Sequence, residues 1–167
     1  AAETVQRVLT VEEATKALEA KRVECGRNFG IVAELKRPTW HRETLGLPLE
    51  QKLVDGLSGF GGPVCLQCFE RAPLQRVREL QPACSYMKLC VDRATLETVG
   101  CDPRLGVPDD PAKTRPYLEE IAQFADFVSP WKGSLVVDPA RPPMHSDFVD
   151  IAHELGLLVG CYTFRSD

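Results

Sequence analysis

The chain has 167 residues, 44% hydrophobic and 26% charged, which excludes a disordered or fibrous protein and suits one domain with a sizeable core. Its net charge of −4 gives no electrostatic reason to expect nucleic acid. No apolar run approaches the ~20 residues that span a bilayer, and no cationic start with an apolar stretch marks a signal peptide.

Thr10, with Glu13 three residues on, forms the capping box of a first helix. Val11, Ala14, Leu18 and Val23 keep its period to about Cys25. A strand over 30–35 follows, with Lys36 just beyond. Strand side chains at i and i+2 point to one side, so Glu34 and Lys36 share a face while Ile31, Ala33 and Leu35 line the other. Opposite charges at the end of an apolar strand are costly to desolvate unless something needs them. A hard cation beside a phosphate needs both: carboxylate oxygen for the metal, ammonium for the phosphoryl oxygens. The spacing also fits a structural ion pair at a strand end.

Residues 49–57 read as a helix with Leu49, Leu53, Val54 and Leu57 on one face, ended by Ser58-Gly59. Next come strand 64–69, helix 72–80 with Leu74, Val77 and Leu80, and strand 85–91. A polar loop over 100–115 leads to helix 117–124, strand 125–129 and an irregular segment over 130–143. Helix 146–155 turns Phe148, Ile151, Ala152 and Leu155 inward, with Gly156 at the C′ position, and strand 157–164 closes the chain.

Strands separated by helices argue for a parallel sheet with right-handed crossovers. No Gly-rich phosphate loop follows a strand, which disfavours a nucleotide-binding sheet. The long loops follow strand C-termini, the face where barrel enzymes keep their active sites. The fold class is therefore α/β, of the (β/α)8 TIM-barrel type. A complete barrel takes ~250 residues, so residues 1–167 read as a single incomplete domain, about strands three to seven of eight. The opening Ala1-Ala2-Glu3, without a Met, fits processing or a piece of a longer protein.

The cysteines number seven, an odd count that cannot pair fully within one chain. Cys65 and Cys68 lie inside an apparent strand on opposite faces, which suits neither a redox turn nor a zinc knuckle. They read as small buried apolar residues, favouring a reducing compartment, cytoplasmic or organellar.

Five pieces stand in order along the chain: Thr10-Val11-Glu12-Glu13-Ala14; Ala33-Glu34-Leu35-Lys36; Leu66-Gln67-Cys68-Phe69-Glu70; LQRVRELQP from Leu74; and FVDIAHELGLLVGCYTFR from Phe148. Together they resemble the glycerophosphodiester phosphodiesterase family, particularly its periplasmic-type branch, which is often exported. The resemblance implies a metal-dependent barrel that cleaves glycerophosphodiesters to glycerol 3-phosphate and an alcohol, in lipid and glycerol metabolism. Glu34 falls on the family's metal-binding glutamate, for Ca or Mg, and Lys36 on its phosphate-contacting lysine. Tyr162 falls on an aromatic position near the substrate site. Gln67 and Phe69 lie at a strand end facing the same mouth, and Cys68 replaces the usual Ser. His41, in the loop after the Glu34 strand, is a further candidate substrate-binding residue.

The departures are specific. The family's His-Arg at the first strand end, its Glu-x-Asp on the second strand and its following His-Asp segment have no counterpart here. His41-Arg42 follows the wrong strand, and the chain stops at Ser166-Asp167, before the family's final Thr-Asp. No catalytic residue is identified, and a lone Glu cannot hold a divalent ion tightly. The expectation is an enzyme of this family whose first catalytic strands are missing, so that the chain alone is inactive. The alternative is a non-catalytic truncated barrel that binds a phosphorylated ligand or partner protein through Lys36. A phospholipase D-like toxin fits less well.

His153 reads as a packing or surface residue and His145 as solvated. Trp40 and Trp131 sit in loops beyond strand ends, where they wall a pocket or cover the rim. Arg71, Arg76, Arg78 and Glu79 read as a solvated helix face, and Asp109-Asp110 as a loop tip. Exposed sheet edges at the Glu34 and Tyr162 strands invite self-association.

Overall fold

Thr10 opens the first helix, α1 (Val11–Cys25), through the expected capping box. The Glu13 N–H donates to Thr10 Oγ1 at 3.2 Å, and the Thr10 N–H donates to Glu13 Oε2 at 2.9 Å. The computed structural model describes residues 7–81, 83–91, 96, 106–108, 110–132, 135 and 147–164. After α1 come β1 (Ile31–Leu35), α2 (Pro38–Leu45), α3 (Leu49–Leu57), β2 (Val64–Cys68), α4 (Arg71–Leu80) and β3 (Ser85–Cys90). A 3-10 turn (Pro111–Lys113), α5 (Thr114–Ala122), β4 (Phe127–Pro130), α6 (Phe148–Glu154) and β5 (Leu158–Val159) complete the described order. None of the described helices is long and apolar enough to cross a membrane.

The strands form one parallel sheet in the order β1-β2-β3-β4-β5. Every crossover moves one strand along in the same direction. A doubly wound sheet reverses that direction at a switch point, whereas a barrel never does. The chain is thus an α/β sheet of barrel type, an arc of five strands.

Helices cover one face of this arc. Leu35, Leu66, Cys68, Tyr86, Cys90 and Val128 meet Leu53, Leu57, Leu74, Val77, Leu118 and Phe148 in a continuous core. The alternate positions form a row across the other face: Glu34 opposite Gln67, then Met87, Phe127 and Leu158. Val32 and Leu158, at the two edges of that row's face, are 60% and 56% exposed. The ring of Phe69, just past β2, meets that of Tyr162, past β5, edge-on with centroids 6.0 Å apart. Three strand spacings would hold β2 and β5 about 14 Å apart in a flat sheet. The sheet therefore curls towards this second face, as a barrel wall does towards its lumen.

Several local expectations change. Periodicity turns Val11, Leu18 and Val23 of α1 inward, but all three are exposed and Thr15 is the buried residue. Val11 still meets α3, at Gly56, where an added Cβ would stand 2.7 Å from Val11 Cγ1. Leu80 is likewise exposed, at the last turn of α4. Residues 38–45, expected as loop, form α2, with Pro38 at its first turn and Gly46 at φ 65° ending it. Trp40 and His41 are therefore helical. The last strand pairs over only Leu158–Val159, with an isolated Trp131–Tyr162 bridge beyond, so Trp131 prolongs β4 instead of lying in a loop. Cys101, Asp109 and His145 lie outside the described residues.

The arginines of α4 are not a solvated face. Arg71 pairs with Glu120 of α5, and Arg78 Nη1 donates to Phe124 O at 3.2 Å while stacking over Tyr86. Arg76 donates through Nε at 3.0 Å and stands at 2.8 Å through Nη2 from Oε1 of Glu50, a fully buried residue on α3. Arg42 of α2 brings Nη2 to 2.9 Å from Glu50 Oε2, an ionic contact whose angle falls short of a hydrogen bond. One carboxylate thus ties α2, α3 and α4 together. Burial pushes the Glu50 carboxyl up, but its own N–H in the first turn of α3 and the two guanidiniums more than offset this, leaving it below its usual value.

Arg76→Ala leaves that carboxylate under-compensated and is expected to cost about 2–4 kcal/mol in urea unfolding, with Glu50→Leu in the same background recovering much of it. A loss under about 0.5 kcal/mol would contradict the clamp. Because Glu50 has a lowered folded-state pKa, its contribution is full above the ordinary glutamate range. It fades as pH falls through the lower folded value, so acid titration of stability should show the loss in wild type and not in Glu50→Gln.

Candidate active site

The C-terminal ends of β1, β2 and β5 bring the expected residues to the concave face. Leu35 anchors β1 in the helical core, and strand alternation then sets Glu34 and Lys36 on the opposite side. Lys36 Nζ lies 3.2 Å from Glu34 Oε1, with the lysine side chain 78% exposed and the glutamate 22%. An ion pair so open to water is worth about 0–1 kcal/mol. The ammonium can therefore leave Glu34 for a better acceptor at little cost.

Gln67 stands opposite Glu34 in the β1–β2 register and is half-buried. Phe69 follows on the same face and packs edge-on against Tyr162. Three hydrogen bonds among the described residues brace Tyr162. Its hydroxyl donates to Cys90 O at 2.8 Å, its carbonyl accepts from Lys132 N–H at 2.8 Å, and its N–H donates to Pro130 O at 3.4 Å. This leaves a charged pair at one side of the mouth and a braced aromatic pair at the other.

His41 takes a different position. Its Nδ1 lies 3.0 Å from Arg37 O and its ring meets Trp40 edge-on at 4.9 Å. A carbonyl only accepts, so Nδ1 carries the hydrogen and Nε2 of the neutral ring is the acceptor. His153 is exposed on α6, in keeping with a surface residue. Asp110 accepts from Ala112 N–H at 3.0 Å and caps the 3-10 turn.

Cys68 is structural. Its thiol donates to Leu35 O at 3.3 Å and accepts from Glu70 N–H at 3.2 Å. Burial pushes that thiol up to about 12, and burial likewise pushes Cys65 up to about 11. Both are free, on opposite faces of β2, as are the other described cysteines.

Two residues escaped the sequence reading. Lys88 lies on the helix-facing side of β3, 3% exposed, donating through Nζ to Leu89 O at 2.7 Å. Its sequence signal is a lysine enclosed by Met87 and Leu89 in an apolar strand. The other is Arg37, which stands at φ 49° with its guanidinium 5.6 Å from the centre of the Trp40 ring.

A cation site needs more than this. Among the described residues no group of three or more His, Cys, Asp and Glu is placed to hold a metal ion. Glu34 is already paired with Lys36, so the described residues do not by themselves fit a divalent cation, which takes several oxygen ligands.

Tyr162→Phe keeps the ring contact and loses the bond to Cys90 O; a stability loss of about 1 kcal/mol is expected by denaturant titration. No change at all would mean that the hydroxyl does not brace the mouth.

The concave face, the single direction of strand order and the charged pair at the β1 end agree with a comparison over the whole chain. The family model described as "Glycerophosphoryl diester phosphodiesterase family" matches residues 1–167. The chain belongs to the glycerophosphoryl diester phosphodiesterase family, whose members act in general on small-molecule glycerophosphodiesters.

Proposed function

We propose that this chain forms the phosphate-facing wall of a phosphodiesterase that releases glycerol 3-phosphate and an alcohol from glycerophosphodiesters, in lipid and glycerol metabolism. The observation that carries the reading is the exposed Glu34–Lys36 pair on the concave face, at a strand end shared with Gln67, Phe69 and Tyr162. The lysine ammonium offers three donors and a full charge to phosphoryl oxygens. Gln67 supplies an amide to orient the diester, and the Phe69–Tyr162 pair gives an apolar wall to its carbon skeleton. In this reading β1 to β5 are the third to seventh strands of the barrel, and the periplasmic-type branch is the nearest. Binding of Ca or Mg rests on the resemblance, with Glu34 as its candidate ligand. The free cysteines favour a reducing compartment, cytoplasmic or organellar.

One observation favours a second reading. Hydrolysis needs a group to take a proton from the attacking oxygen and another to protonate the leaving one. Among the described residues, His41 has Nδ1 tied to its own helix and His153 sits on the outer layer. A non-catalytic protein that binds a phosphorylated ligand or partner through Lys36 fits those placements. The open edges of β1 and β5 further suggest self-association, which sedimentation velocity would detect.

The test is release of glycerol 3-phosphate from glycerophosphocholine by the full gene product. Turnover should stop with chelator and return with Ca or Mg, and Lys36→Ala should lower kcat/KM by about 100-fold, the scale of one lost transition-state contact. Full activity in Glu34→Gln would remove the role given to that carboxylate. No turnover with any divalent ion, together with ligand-dependent thermal stabilisation, would select the binding reading.

A further inference from the structure

Seven of the nine arginines among the described residues form salt bridges with acidic side chains. Arg27 and Arg37 do not. Arg27 lies exposed in the turn after α1 with an ordinary backbone. Arg37 differs in three ways. It follows Lys36 directly, its guanidinium is stacked on Trp40, and its backbone lies at φ 49°, ψ 48°. It is the one described non-glycine residue with positive φ.

That backbone opposes two local preferences at once. The left-handed region is disfavoured for an L-residue, and Pro38 pushes the residue before it towards extended conformations. The conformation is braced instead by His41, whose N–H and Nδ1–H both meet Arg37 O, at 3.2 and 3.0 Å. Strain of this kind persists where surrounding structure holds it, and it clusters at ligand clamps. What it achieves here is a rigid mount. Its guanidinium lies over the Trp40 ring, 5.6 Å from the centre, on an exposed residue whose donors meet no acidic side chain among the described residues. A stacked guanidinium still presents a fork that matches a carboxylate or phosphate. A cationic group brought to the same place meets a fixed like charge.

We propose that Arg37, braced by His41 and stacked on Trp40, is a specificity-determining anion-binding residue of this mouth. It selects glycerophosphodiesters whose alcohol half carries an acidic group over those whose alcohol half is cationic. This rests on the reading of Lys36 as the contact to the bridging phosphate. Lys36 and Arg37 are consecutive just past the C-terminal end of β1 and both are exposed, so one diester can meet both: its phosphate at the lysine and its acidic headgroup at the guanidinium. His41 acts here as a positioning residue, through Arg37.

The experiment measures binding of two probes to the full gene product by titration calorimetry: glycerophosphoinositol 4-phosphate and glycerophosphocholine. Wild type should bind the first about tenfold more tightly, the scale of one added hydrogen bond to a charged group. Arg37→Gly suits the left-handed backbone, so it should fold and melt about 2–4 °C higher while losing that preference. Arg37→Lys, which keeps the charge without the fork, should retain part of it. Lys36→Ala should weaken both probes by a similar factor and leave their ratio in place. An unchanged ratio in Arg37→Gly overturns the proposal, and so does equal binding of the two probes by wild type. If Lys36→Ala changes neither affinity while Arg37→Gly still erases the ratio, the phosphate reading fails and the selection by Arg37 stands. Binding of neither probe overturns both.

Discussion

Among the described residues, helices pack against only one face of the parallel sheet, and most of the site follows from that constraint. Each strand has a period of two, so committing Leu35, Leu66 and Cys68 to the helical core commits Glu34 and Gln67 to the opposite face. The same alternation carries Lys36 and Phe69 beyond the strand ends onto the concave side. A slip of one residue in β1 would bury the carboxylate and expose Leu35. The hydrophobic core thus determines the position of the charged pair. Curvature does the rest, bringing Phe69 and Tyr162 together from strands three places apart.

The acidic residues show how burial changes the value of one kind of interaction. Glu34 and Lys36 meet in water, where their attraction is largely cancelled by hydration, so the pair is cheap to open. Glu50 is sealed from water, so removing either guanidinium leaves a buried charge under-compensated. The first arrangement suits a binding site and the second a clamp. Residues 38–45 join the two: α2 is fastened through Arg42 to Glu50, while its N-terminal end carries Arg37 beside Lys36. The rim of the mouth is therefore mounted on the most strongly held charge cluster among the described residues.

How much was legible in the sequence follows the range of each interaction. The capping box at Thr10 and the shared face of Glu34 and Lys36 depend on residues three and two apart, and both stand in the structure. The alternation of strand and helix, and hence the barrel-type sheet, came from local periodicity in the same way. Helix α2 is hidden from periodicity because PTWHRETL has no apolar stripe; its signals are Pro38 at the start and Gly46 at the end. Arg76 reads as solvated from sequence because its partner lies 26 residues away, a separation at which charge pattern on one helix says nothing. The strain at Arg37 is a backbone angle, invisible as such in a string of letters. The step before Pro38 and a histidine at i+4 were its only traces.

The central claim is that Lys36 receives the phosphate on the concave face. The most direct measurement is a crystal structure of the full gene product with glycerol 3-phosphate bound. A phosphoryl oxygen is expected at hydrogen-bonding distance from Lys36 Nζ, about 2.7–3.2 Å, with the Lys36–Glu34 pair opened and the glycerol carbons against Phe69 and Tyr162. Phosphate bound elsewhere, with Lys36 still on Glu34, would contradict it.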